Sequence, residues 1–71
     1  MTDQLRKRAQ DDGIACGMAF KRERPGLTPR GVSVGYTRYY EMPWIAKASK
    51  TPGLLAYDRD HKAGFIEGYG A

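Results

Sequence analysis

The stretch that decides the fold runs from Arg30 to Trp44, Arg-Gly-Val-Ser-Val-Gly-Tyr-Thr-Arg-Tyr-Tyr-Glu-Met-Pro-Trp (RGVSVGYTRYYEMPW). At a period of two it places Val32, Val34, Tyr36, Tyr40 and Met42 on one side of an extended chain, and Ser33, Gly35, Thr37, Tyr39 and Glu41 on the other. β-Branched and aromatic residues suit a half-buried pleated surface, so the pattern predicts a central β-strand or hairpin. Arg38 interrupts the apolar side and Tyr39 stands next to it on the polar side, so the segment presents an aromatic ring beside a cation.

Upstream, Thr2 is a helix N-cap residue, Asp3 suits a first turn, and Leu5, Ala9, Gly13, Cys16 and Phe20 recur at three- and four-residue spacing. A helix over about residues 3 to 21 follows. Ala9, Gly13 and Gly17 then form a ridge of small residues along which another backbone can lie close, although each interior glycine costs about 1 kcal/mol relative to alanine. On this reading Gly13→Leu overpacks the ridge, whereas Gly13→Ala is mild or stabilising. A second reading ends the helix at Asp12-Gly13 and pairs residues 14–21, as a strand, with 32–40.

Residues 24–30, RPGLTPR, carry two prolines and a glycine and read as a basic loop. Met42-Pro43 ends regular pairing, and the segment WIAKASK after it has no assigned structure. Thr51-Pro52 is a helix start, threonine capping and proline at the first helical position, with Leu55, Ala63, Ile66 and Tyr69 on one face. That helix spans about 52 to 67, carries Asp58-Arg59-Asp60-His61-Lys62 as a solvated polar belt, and ends at Gly68 and Gly70. The predicted fold class is α+β: one small domain, 1–71, of N-terminal helix, basic loop, central β-strand or hairpin, and C-terminal helix.

A 71-residue domain buries only roughly 60% of the surface of its unfolded chain, so a partner or a second copy of the chain is a natural source of further stability, and a deep substrate cleft is hard to fit. The net charge of +4 is concentrated in the first 38 residues, which hold eight Lys or Arg against four acids; the remainder is balanced. Polyanions, acidic protein faces and anionic lipid are the partners such a charge favours. One cysteine, Cys16, and one histidine, His61, are too few for an internal disulfide or a structural zinc site. With no apolar run of signal-peptide or membrane-span character, the expectation is a cytoplasmic protein that is not in the membrane.

His61 lies near Asp58, Asp60 and Glu67, and an acid beside a histidine is how a general base is oriented. No motif links Ser33, Ser49 or Cys16 to that pair, and a solvated helix face explains the cluster, so the chain is read as non-enzymatic. GIACG and GFIEGYG lack the lysine of a phosphate-binding loop, and no nucleotide cofactor or metal is implied. What remains is a constellation of cations and aromatics. The candidate binding residues are Arg6, Lys7, Arg8, Lys21, Arg22, Arg24, Arg30, Arg38, Tyr39 and Trp44. Exposed aromatics stack on unpaired bases while guanidinium groups track phosphates, and tyrosine and tryptophan beside arginine serve protein interfaces equally.

Three fragments resemble the ribosome modulation factor family, small basic bacterial proteins that bind the ribosome during hibernation, and its phage and plasmid relatives. They are Ala9-x-x-x-Gly13-x-x-x-Gly17, Glu41-Met42-Pro43-Trp44 and Phe65-Ile66-Glu67-Gly68-Tyr69. The resemblance implies two helices packed through small residues and a basic surface that meets ribosomal RNA. Structured RNA or a ribonucleoprotein is therefore the expected partner. The alternative is a phage- or mobile-element-encoded inhibitor or adaptor that occupies a host protein surface, such as an anti-CRISPR protein.

Overall fold

The computed structural model describes residues 3–43, 50 and 52–71. Among these the chain is all helical: α1 (Asp3–Glu23), α2 (Pro29–Tyr36) continued by a π-helical turn (Thr37–Glu41), and α3 (Pro52–Gly70). The α+β expectation is therefore corrected, because residues 32–40 are helix and no strand occurs among the described residues.

The cause lies at Thr28-Pro29. Thr28 is extended (φ −68°, ψ 161°), its Oγ1 accepts the Gly31 amide at 3.1 Å, and Pro29 takes the first helical turn, where its missing N–H costs nothing. Val32, Tyr36 and Tyr40 recur every four residues, a spacing that strand and helix both place on one side. Val34 separates the two: a strand would bury it with its neighbours, whereas it is 59% exposed while Gly35 is buried. The π turn closes with the Met42 amide on the Thr37 carbonyl, and it keeps the rings of Tyr36 and Tyr40 stacked at 5.9 Å and 14°.

α1 continues through Gly13 and Gly17, so the reading that ended it at Gly13 and made 14–21 a strand is overturned. It stops where Pro25 lacks an amide proton and Gly26 turns left-handed at φ 78°. Tyr69 holds that turn from α3: its hydroxyl donates to the Arg24 carbonyl at 2.5 Å and accepts the Leu27 amide at 2.8 Å.

α1 and α3 are parallel neighbours in contact along two interlocked glycine pairs. Gly13 and Gly17 face the backbone of His61 and Phe65, and Gly64 and Gly68 face that of Gln10 and Ile14. Any β-carbon on these four would run into a carbonyl oxygen. The expectation that Gly13→Ala is mild is thereby corrected, since close approach, and not a positive φ, requires the glycine. Parallel helices need a connection that travels back along the pair. α2 and its π turn provide it, packing Val32 and Tyr36 against Phe20, Phe65 and Tyr69.

With extents of 34 × 25 × 15 Å, the domain is little thicker than one helix of about 10–12 Å, so its core is essentially one layer of rings. Tyr36 and Phe65 are its fully buried large residues. The face of α3 expected to hold Leu55, Ala63, Ile66 and Tyr69 is corrected at all but Tyr69. Leu55 and Ile66 are exposed, while Asp58, Gly64, Phe65, Gly68 and Tyr69 are buried, and the helix runs through Gly68 to Gly70. Thr2 and Thr51, the expected caps of α1 and α3, lie outside the described residues.

Candidate functional site

The expected binding residues divide between two ends of α1. Arg6, Lys7 and Arg8 are exposed near its start, about 24 Å along the axis from Arg22 and Arg24. Arg6 is partly occupied by an ion pair of 3.4 Å with Asp60. At the other end Lys21 donates to the Ala71 carbonyl at 2.7 Å, and Arg22 and Arg30 are exposed without an acidic partner among the described residues. Lys21 and Arg22 also lie in the last turn of α1, where cations favour the negative end of the helix dipole.

The structure brings three of the expected residues together. Arg24 places its guanidinium carbon 4.9 Å from the centre of the Tyr39 ring, and both line a shallow cleft of about 160 Å³ with Arg38, Leu27 and Val34. An arginine seated on a ring is held in one direction without its charge being neutralised. Arg38 also lines a neighbouring cleft of about 430 Å³ with Ser33, Val34, Thr37 and Met42. Leu27, Val34 and Met42 belong to this surface but were not among the residues expected from sequence. Val34 lies on the outward side of α2, Leu27 just before its cap and Met42 just after the π turn, an arrangement hidden by the strand reading. Trp44, the last expected residue, lies outside the described residues.

A separate polar cluster lies between the helices. The Tyr36 hydroxyl donates to Asp58 Oδ1 at 2.9 Å and lies 2.9 Å from His61 Nδ1. Its single proton is given to Asp58, so the histidine donates its Nδ1–H to the tyrosine oxygen. Tyr57 in turn donates to Asp12 Oδ2 at 2.9 Å and stacks on His61 at 5.9 Å. Asp58 is only 8% exposed and His61 is half-buried, so the largely solvated belt expected over 58–62 is corrected at these two residues. The reason is Tyr36, which α2 inserts against α3.

Burial sets the chemistry of these groups. It pushes the Tyr36 hydroxyl strongly up, with the hydrogen bond to Asp58 adding, and it lowers His61 against the opposing pull of Asp12 and Asp58. Glu41 is raised, first by hydrogen bonding to Asp58 and then by burial, with Lys62 opposing. The Cys16 thiol, which shares a cleft with His61, is raised by burial and by Asp12, which disfavours the reactive thiolate. Among the described residues no buried side-chain polar atom lacks a partner and no group of metal-ligating side chains converges. No helix of the described residues is long and apolar enough to cross a membrane.

Comparison of the chain with protein-family models, with curated proteins and with solved structures finds no match in any of the three.

Proposed function

We propose that this chain is a small cytoplasmic binding protein, without catalysis of its own, whose basic surface at the junction of α1 and α2 engages structured RNA, free or within a nucleoprotein such as the ribosome. The observation that carries this is the convergence of Arg24, Arg38 and Tyr39 on one cleft, with the Arg24 guanidinium over the Tyr39 ring and Arg30 exposed on the first turn of α2. Guanidinium groups free of carboxylates among the described residues are available to phosphates, and Tyr39, a residue 46% accessible, is available to an unstacked base. The fragments that resemble ribosome modulation factors favour ribosomal RNA as the target. The raised Cys16 thiol supports a binding role over a nucleophilic one.

A second reading, an inhibitor or adaptor on a host protein, is favoured by one observation: Val34 and Met42 are 59% and 63% exposed beside Arg38. Salt titration separates the two. Phosphate binding loses affinity log-linearly with salt, and each phosphate contact removed from a folded RNA flattens the log-log slope by roughly 0.7 to 0.9. The decisive measurement is anisotropy of labelled ribosomal RNA fragments and pulldown of ribosomes, with and without nuclease, for wild type, Arg24→Glu and Arg38→Glu. Weaker binding with a flatter slope in both variants is expected. A complex that survives nuclease and is indifferent to salt would replace RNA with a protein partner.

A further inference from the structure

A second cleft, made of other residues, is walled by aromatic rings. Cys16 of α1, Tyr36 of α2, Tyr40 of the π turn and Tyr57 and His61 of α3 line an open space of about 220 Å³. Four of these rings stand in series: Tyr40 to Tyr36 at 5.9 Å, Tyr36 to His61 at 5.7 Å, and His61 to Tyr57 at 5.9 Å. Tyr36 is fully buried behind the cleft, while Tyr40, Tyr57 and His61 are half-buried and offer it their open surface. Ring faces carry the negative side of an aromatic quadrupole.

The charges behind this wall have the same sign. Tyr57 and Tyr36 donate their hydroxyl protons to the carboxylates of Asp12 and Asp58, which makes their rings more electron-rich and fixes two anions against the cleft. Glu41 adjoins Asp58, and the nearby cations are Arg8, beside Tyr57, and Lys62, beside Glu41. In a chain of net charge +4, this is a local excess of carboxylates around a largely carbon-lined cavity. The Tyr36 and Tyr57 hydroxyls already donate to carboxylates and the lining is mostly carbon, so a bare ammonium would exchange most of its water for few acceptors. An alkylated ammonium has few or no N–H groups to satisfy and spreads its charge over methyl surface suited to ring faces. The space is smaller than the roughly 300 Å³ at which pockets for drug-sized ligands begin, which fits a single head group.

We infer that the cleft bounded by Tyr40, Tyr36, His61 and Tyr57 binds a small alkylated ammonium group. This inference is independent of the RNA-binding surface, which uses none of these side chains.

The test is an NMR titration of the intact chain with tetramethylammonium, choline and neohexyl alcohol, the neutral carbon isostere of choline. A trimethyllysine peptide and its unmethylated form are run alongside to tell a free metabolite from a protein-borne head group. Saturable shifts at the ring signals of Tyr40, Tyr57 and His61 are expected, with choline binding roughly 2- to 30-fold tighter than neohexyl alcohol, the ratio a cation–π contact supplies. Tyr40→Leu should reduce choline binding about tenfold and leave the weak binding of the alcohol nearly unchanged. If that variant fails to fold by its thermal melt, the choline-to-alcohol ratio on the wild-type chain still decides. Equal affinity for choline and its isostere, or no saturable shift with any of the cations, overturns the inference.

Discussion

Replacing Gly17 by alanine puts a methyl carbon against the carbonyl oxygen of Phe65 and within 2.9 Å of the Tyr69 amide nitrogen. Both neighbours are backbone of a helix, so no side chain can swing aside, and α1 and α3 must separate by on the order of 1 Å to restore ordinary contact. A gap of that size forfeits roughly a quarter to a half of each dispersion contact along the shared ridge. Overpacking of this kind costs about 1 to 3 kcal/mol, and the upper end applies because rigid backbone is the obstacle. The gain in helix propensity returns about 1 kcal/mol. The expected net loss is about 2 kcal/mol, out of a total stability of roughly 4 to 10 kcal/mol for a chain of this length. That corresponds to a fall in Tm of roughly 8 to 16 °C. Urea and thermal unfolding followed by circular dichroism measure it, with Gly70→Ala as the control, because a β-carbon there meets nothing within 4 Å. Gly17→Ala that melts with Gly70→Ala, at or above wild type, would refute the close packing of α1 on α3.

Tyr36→Phe keeps the ring and deletes the hydroxyl that joins Asp58 to His61, leaving a buried carboxylate without that donor; a loss of about 1 to 3 kcal/mol in urea unfolding is expected. Tyr69→Phe removes both hydrogen bonds that hold the turn at 24–27, and limited proteolysis should then cut at that turn sooner, with helix content unchanged by circular dichroism. Because burial lowers His61 in the folded state, its contribution to stability is complete above about 6.5 and is lost as pH falls through the folded value. Glu41, raised in the folded state, acts in the opposite sense: its contribution is present below 4.5 and is lost as pH rises through its folded value. His61→Gln should therefore remove the part of the acid-side loss that sets in below about 6.5, as read from unfolding free energies across pH.

How much of this molecule is legible in its sequence depends on which interactions are local. The spacing of Ala9, Gly13 and Gly17 marks a ridge for close helix packing, and Gly64 and Gly68 repeat that spacing in α3, although only the tertiary structure shows that the two glycine pairs interlock. Both α2 and α3 begin on a proline: Pro52 is legible as a helix start, whereas Pro29, close after Pro25 and Gly26, reads as part of a loop although Thr28 caps the helix it opens. The cationic excess of residues 21–38 is visible as composition, and Arg24 and Tyr39 were both expected at the surface. Their contact, fifteen positions apart, depends on how α2 returns across α1.

Spacing and charge, which act within a few residues of the chain, thus mark two helical segments, the basic bias and the small-residue ridge, while the continuation of α1 beyond Gly13 is decided by its packing on α3. Tertiary structure decides the rest. Residues 32, 36 and 40 align under a period of two and nearly align under a period of 3.6, so the choice between strand and helix turns on whether Val34 or Gly35 meets a neighbour, and that neighbour is Phe20, contributed by another helix. In the same way Asp58 and His61 become a buried network instead of a solvated face only because Tyr36, more than twenty residues away, is driven between them by the burial of its ring.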